Sequence, residues 1–232
     1  MEVIIRVKPY LLILVPLLTV GCSSSFCAET TEIQWKQVKD QHGIQVYTRT
    51  IEGFNIIEFK GITRIETSMA SLLALIRDIE ATPQWVANCT ESKILKRISD
   101  NETYTYSLSN APWPVQNRDA VVHNVISIDP KTSVVTVRQT GHPDYMKEKK
   151  KVIRVRRLEG FWQFTPKEQG QIEVVYQLLS DPSGKIPAWL INASIVSQPY
   201  ETLLSMKKIV RQKKYQNACP QEAESEEGRS TP

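Results

Sequence analysis

The sequence predicts an α+β fold, a curved antiparallel sheet with one long C-terminal helix lying across it. Three observations carry that prediction. Short runs of period-two hydrophobicity recur between Gly43 and Leu179, separated by turn residues. The period becomes helical after Ser68 and again after Pro187. The last helical run is so broadly apolar that it needs a partner surface, and strands joined by short turns supply an antiparallel one.

Taken in order, Thr30–Lys39 opens with a short predicted helix, and Gly43–Arg49 alternates like a strand with one wet face. Ile56–Glu66 keeps the same period and pairs with it as a hairpin across the Gly53 turn. After the N-cap candidates Thr67 and Ser68, the residues Met69, Leu72, Leu73, Leu75, Ile76 and Ile79 recur at helical spacing until Pro83. Trp85 follows the break. Glu91–Ser99 and Thr103–Leu108 return to strand, the second with Tyr104, Tyr106 and Leu108 alternating against Thr103, Thr105 and Ser107.

Ala111–Asn117 sets two prolines around Trp113 and must be a loop, because neither proline can donate to a ladder. Strands are expected over Arg118–Ile128, Val134–Thr140, Val152–Leu158, Phe161–Thr165 and Ile172–Leu179, the last two joined by a turn at Lys167–Gly170. Asp181-Pro182-Ser183-Gly184 stops the sheet, and Ile186-Pro187 starts the final helix where a missing N–H costs least. Its stripe is Trp189, Ala193, Val196, Tyr200, Leu203 and Val210, flanked by Leu190, Ile195, Leu204 and Ile209. Pro199 lies inside the stripe and is expected to bend the helix without ending it.

The 232 residues suit one domain with a leader and a tail, expected at 1–22, 30–215 and 218–232. A net charge of +4 is too weak to argue for nucleic acid. Arg6 and Lys8 before the apolar run Leu11–Val20, with small residues after it, form an export signal too short to stay as a membrane span. Gly21-Cys22-Ser23-Ser24-Ser25 resembles the end of a bacterial lipoprotein signal, although Thr19 stands where that signal usually has leucine. Two mature forms follow, one lipidated at Cys22 and one cleaved near Ser25 or Cys27; either puts the protein in the periplasm, soluble or anchored. Cys89 is read either as the partner of Cys219 in a disulfide or as a small buried thiol. No Cys-x-x-Cys and no clustered histidines point to a metal, and no cofactor fingerprint is present. The Glu-rich segment after Ala218 reads as a disordered acidic tail.

Two stretches carry a resemblance. Pro112-Trp113-Pro114-x-x-Asn117-Arg118-Asp119-x-Val121, followed some sixty residues later by Asp181-Pro182-x-Gly184-x-Ile186-Pro187-x-Trp189-Leu190-Ile191-Asn192, resembles the START domain, the lipid-transfer domain named after the steroidogenic acute regulatory protein. The resemblance covers roughly residues 33–214. It implies a helix-grip fold of the START and Bet v 1 kind, with the sheet and the final helix enclosing a tunnel for one lipid-like molecule. It also implies that the loop at Ala111–Asn117 gates that tunnel together with the helix. If such a tunnel buried about 300 Å² of apolar ligand surface, transfer would supply on the order of 7 kcal/mol, enough for micromolar binding at best.

The expected ligand or gate residues are Trp113, Arg118, Asp119, Trp189, Asn192, Val196 and Tyr200. Trp113 is either a membrane-facing gate residue or a plug packed under the helix. Arg118 and Asp119 are strand neighbours and face opposite ways, so one could meet a headgroup while both could equally anchor the loop. In phosphatidylcholine-binding relatives, the resemblance implies a phosphate-holding arginine three residues before the tryptophan that matches Trp85; here that position is Thr82.

Basic residues Lys149, Lys150 and Lys151, within the run from Lys147 to Arg157, and Lys207 and Lys208 at the helix end form candidate docking faces for an anionic membrane. The helix-end group also complements the helix dipole without any partner. The chain is expected to act as a monomer on a lipid or other hydrophobic ligand, as a non-enzyme. The competing readings are a cyclase-like enzyme, for which His123 is the best-placed acid–base residue, and an envelope interaction module without cargo.

Overall fold

The computed structural model describes residues 34–50, 57–181, 183, 184, 186 and 188–218, without the side chains of Ile57, Ala188, Trp189 and Asn192. The leader, Cys22, Cys27, Cys219, the Gly53 turn and the acidic tail lie outside the described residues. Strands β1 (Lys36–Gln41), β2 (Ile44–Thr50) and β3 (Ile57–Glu66) lead into helix α1 (Met69–Arg77) and a 3₁₀ segment at Ile79–Gln84. Strands β4 (Cys89–Ser99), β5 (Glu102–Ser109), β6 (Asn117–Ile128), β7 (Val135–Gly141), β8 (Val152–Arg154), β9 (Arg157–Pro166) and β10 (Gln171–Asp181) follow. Helices α2 (Ala188–Ile209) and α3 (Lys213–Gln216) end the described chain. Among the described residues, no helix is long and apolar enough to cross a membrane.

The strands form one sheet in the order β1-β2-β3-β10-β9-β7-β6-β5-β4, antiparallel throughout this path. Two expectations fail here. In the range Thr30–Lys39, where a short helix was expected, residues 30–33 lie outside the described residues and Lys36–Lys39 belong to β1; His42 and Gly43 both take positive φ, the geometry of a two-residue hairpin turn that sends β1 back along β2. The single strand expected over Val152–Leu158 is two pieces. β8 runs parallel to the start of β6, Asn117 opposite Val152, while Arg157 and Leu158 already belong to β9.

Ser68 caps α1 as expected, its side chain accepting from the Ser71 N–H at 3.0 Å. Helix α1 stops at Asp78, five residues before Pro83, which sits inside the 3₁₀ segment. Helix α2 continues through Pro199, which has no N–H to offer the Ile195 carbonyl.

The two halves of α2 meet different surroundings. Its C-terminal half packs on the sheet, with Tyr200, Leu203, Met206 and Ile209, and Val210 just after the helix, in one buried cluster with Ile44, Val46, Val174 and Phe164. Gly61 on β3 lets that happen: a Cβ there would come within 2.7 Å of Leu203 Cδ1 and 3.4 Å of Pro199 Cβ. The N-terminal half of α2 roofs a cavity instead.

Candidate ligand cavity

Between the N-terminal half of α2 and the concave face of the sheet lies a cavity of about 790 Å³, inside the range of small-molecule sites. The helix contributes Leu190, Ile191, Ser194, Ile195, Ser197 and Gln198. Val196 and Tyr200, taken from the sequence as ligand residues, are not in its wall; Tyr200 is buried in the core and bonds His42 Nδ1 through its hydroxyl at 2.5 Å. The expected stripe divides along the chain: Tyr200, Leu203 and Val210 lie in the core, whereas Ala193 and the flanking Leu190 and Ile195 line the cavity. Trp189 and Asn192 occupy α2, but their side chains are outside the described residues.

One wall is aromatic. Trp162 stacks on Tyr176 at 3.8 Å, Trp85 meets Trp162 edge-on at 5.6 Å, and Phe59 meets Tyr176 edge-on at 5.0 Å. Burial pushes the Tyr176 pKa up to about 12 against the lowering effect of its bond from Gln198, so the phenol stays neutral. Cys89, also in the wall, is a buried free thiol rather than a disulfide, and burial raises its pKa. Trp85 Nε1 and Gln198 Oε1 are buried with no hydrogen-bond partner among the described groups.

The facing wall is polar; the alternation in this strand left open which of its two faces points inward. Thr103, Thr105, Ser107 and Ser109 of β5 line the cavity, beside Ala120, Val122, Asn124 and Ile126 of β6. Tyr104 and Tyr106 turn outward, where the chain from His142 to Tyr145 and the Lys149 side chain cover them. The Tyr104 ring stacks on His123 at 4.5 Å and on Tyr145 at 4.6 Å. The Lys149 ammonium sits 4.1 Å from the Tyr106 ring centre. His123 therefore belongs to the outer face, bonded to Glu102 at 2.8 Å, and no described histidine lines the cavity.

At one end the cavity is bordered by the loop between β5 and β6 and by the approach to α2. Asn110, Ala111, Pro112, Val115 and Ile186 line this end. Asn117 Oδ1 accepts from the Ala111 N–H at 3.1 Å, and Asn110 N–H donates to Asn88 O at 2.9 Å. Trp113 at the tip is 93% exposed, so it is not a plug under the helix. The Trp113–Pro114 bond is cis.

Arg118 ties the two gate segments together, donating to Gln116 O on one and to Ser183 O on the other at 3.4 Å. Gly184 follows with φ of +71°, and a Cβ there would meet Ile153 Cδ1 at 2.8 Å. Asp119, on the opposite face as expected, pairs with Arg154 at 2.7 and 3.1 Å, the two side chains 1% and 0% exposed. Arg154 also donates to the carbonyls of Pro143, at 2.5 Å, and Met146, at 3.1 Å. The bond to Asp119 holds the guanidinium pKa above its usual value, outweighing desolvation. Both residues of the pair are structural anchors for the segment that covers the outer face.

The START domain description matches residues 24–215. The chain belongs to the START domain family. An uncharacterised protein of Pseudomonas aeruginosa is 36% identical over 174 residues, 75% of this chain and 85% of that protein. The crystal structure of a STAR-related lipid transfer protein fragment from Xanthomonas axonopodis superposes with a TM-score of 0.71 at 36% identity, over 77% of this chain and 99% of that one. The phosphatidylcholine transfer protein of Rattus norvegicus is 25% identical over 175 residues, covering 72% of this chain and 81% of its own. The named relatives are lipid transfer proteins, and the curved antiparallel sheet with its C-terminal helix is the helix-grip fold of this START family.

Within this START domain, the two basic groups do not form one docking face. Arg154 is internal, Arg156 pairs with Asp144 and Glu148, Arg157 with Glu159, and Lys149 with Glu91 at 3.6 Å. Lys147, Lys150 and Lys151 stay exposed, the last directly before the β8 residue that pairs with Asn117 at the gate. Lys207 donates to His42 O at 3.3 Å and to Thr63 Oγ1 at 3.4 Å, while Lys208 is exposed; both lie about 28 Å along α2 from its first residue. They sit at the far end of the helix from the gate.

Proposed function

We propose that this START domain holds one lipid-like molecule in its cavity and carries it across the aqueous space of the cell envelope. The observation that carries the reading is the cavity of about 790 Å³, roofed by half of α2 and lined by an aromatic wall, in a chain whose named relatives transfer lipids. The charged residues at its borders are spent on the protein's own groups, so affinity rests on apolar contact and neutral hydrogen bonds. The protein is an exported bacterial monomer, either lipidated at Cys22 or cleaved near Ser25 or Cys27, as the leader suggests.

Cargo enters where the gate segments meet a membrane. Trp113, almost fully exposed at the gate tip, suits a bilayer interface, and Lys147, Lys150 and Lys151 lie on the adjoining crossover. Near an anionic surface each contributes about 1 kcal/mol, about 3 kcal/mol together, which screening by salt removes.

A vesicle transfer assay with the purified protein and a fluorescent lipid, run with vesicles of phosphatidylglycerol, tests this. Trp113→Ala is expected to slow transfer about tenfold at unchanged thermal stability. Replacing Lys147, Lys150 and Lys151 together by Gln is expected to weaken vesicle association about a hundredfold in low salt and to leave it unchanged in high salt. Transfer at the parental rate by both variants would remove the gate tip and the crossover from the uptake route.

A further inference from the structure

Strand β5 is inverted relative to an ordinary half-buried strand. Its tyrosines face outward under the 142–149 segment, and its hydroxyls face a largely apolar interior. Along the strand from the gate, Ser109, Ser107, Thr105 and Thr103 follow at alternate positions, a row about 20 Å long. Asn124 Nδ2 donates to Thr105 Oγ1 at 2.9 Å, and Gln139 Nε2 donates to Asn124 Oδ1 at 3.1 Å, so one part of the wall is a connected network. The hydroxyls of Thr103, Ser107 and Ser109 make no hydrogen bond to another described residue. Hydroxyls facing a cavity are costly to cover with an apolar ligand edge, because each would lose its water partner without replacement, and are satisfied by a ligand that brings its own hydrogen-bonding groups.

The charges are elsewhere. Arg77, Arg97 and Asp100 border the cavity near the β4–β5 turn, with Arg77 bonded to Asn101 at 2.8 Å and Arg97 placed 3.8 Å from Asp100. Arg118 and Asp119, at the gate end, are engaged by backbone carbonyls and by Arg154. Between these ends, the described wall offers neutral donors and acceptors on one side and aromatic rings on the other.

We propose that the ligand is an elongated, uncharged lipid with oxygen functions along one edge, which bond the Thr103–Ser109 row while its other edge lies on Trp85, Trp162 and Tyr176. The proposal rests on the lipid-binding reading above and narrows it, setting such a molecule apart from a lipid whose polarity is gathered in one charged headgroup. Each neutral hydrogen bond made in this setting strengthens binding several-fold, so two or three of them decide between otherwise equal chains.

Delipidated protein titrated with methyl 9,10-dihydroxystearate, methyl stearate and phosphatidylcholine, each followed by the intrinsic tryptophan emission and by native mass spectrometry, tests it. The dihydroxy ester is expected to bind at least tenfold more tightly than either other probe. In the variant Thr103→Val with Ser107→Ala and Ser109→Ala, whose backbone ladder is untouched, that preference is expected to vanish while methyl stearate binds as well as before. Equal affinity for the two esters, or a preference that survives in the variant, would overturn the proposal and leave lipid binding standing. Failure of all three probes to bind would overturn the lipid-binding reading and the proposal together.

Discussion

Replacing Asp119 by alanine is expected to destabilise the domain by about 3–5 kcal/mol, because it strands the Arg154 guanidinium in a site with almost no solvent contact. For a domain of this size, 1 kcal/mol moves the melting temperature by about 2–4 °C, so a fall on the order of 10 °C should be seen. The size of the effect follows from what Arg154 does. Its fork holds both carboxylate oxygens of Asp119 and two carbonyls of the chain that covers Tyr104 and Tyr106. Removing both charges, as Asp119→Leu with Arg154→Met, leaves no uncompensated ion and should cost clearly less than Asp119→Ala alone. Urea unfolding of the three proteins measures this. A loss below about 1 kcal/mol in Asp119→Ala would mean that the pair does not anchor the outer segment.

Ala120→Trp is expected to reduce ligand binding at least a hundredfold while leaving the fold intact. Ala120 is buried on the cavity face of β6, directly opposite Ser107, so a side chain built there grows into the empty space rather than into the core. An indole occupying the cavity replaces the apolar contact that a ligand would make, and filling a void does not carry the penalty of overpacking a full core. Ligand titration and thermal unfolding, measured side by side, check the outcome. Parental affinity in a folded Ala120→Trp protein would locate the binding surface outside the cavity.

The sheet and the gripping helix were legible because their signals are local. Turn residues at Lys167–Gly170 and Asp181–Gly184, the Ser68 cap and the period change after it each state their structure within a few residues. What stayed hidden depends on contacts between distant segments. β1 was misread because Gly43 looked like a strand start, whereas it closes a turn with His42. The outward tyrosines of β5 could not be read from alternation, which gives two faces without saying which is inside. Here the segment after β7 covers the convex face and makes the tyrosine side a second buried layer, with Tyr106, Asp119, Val121 and Arg154 all nearly free of solvent.

The cavity residues show the same division. Arg118 and Asp119 face opposite ways, as strand neighbours do: Arg118 borders the cavity and donates to the Ser183 carbonyl, and Asp119 holds Arg154. The apolar stripe of the final helix holds core residues such as Leu203 and a wall residue, Ala193, but its period leaves out the polar Ser194, Ser197 and Gln198, which also line the cavity. Hydrophobic periodicity looks past polar residues that line a cavity. The useful signal was present as the run of hydroxyls at alternate positions from Thr103 to Ser109, opposite a strand of Ala120 and Val122.

The central claim is that the cavity carries cargo, and the most direct measurement is native mass spectrometry of the protein purified from its own producing cells without detergent. Organic extracts of the same sample identify whatever is bound. A discrete additional mass at about one molecule per chain, absent from the Ala120→Trp protein, is the expected result. An empty protein that also takes up no lipid from vesicles would contradict the account, and would make the cavity a feature of the fold rather than the seat of its function.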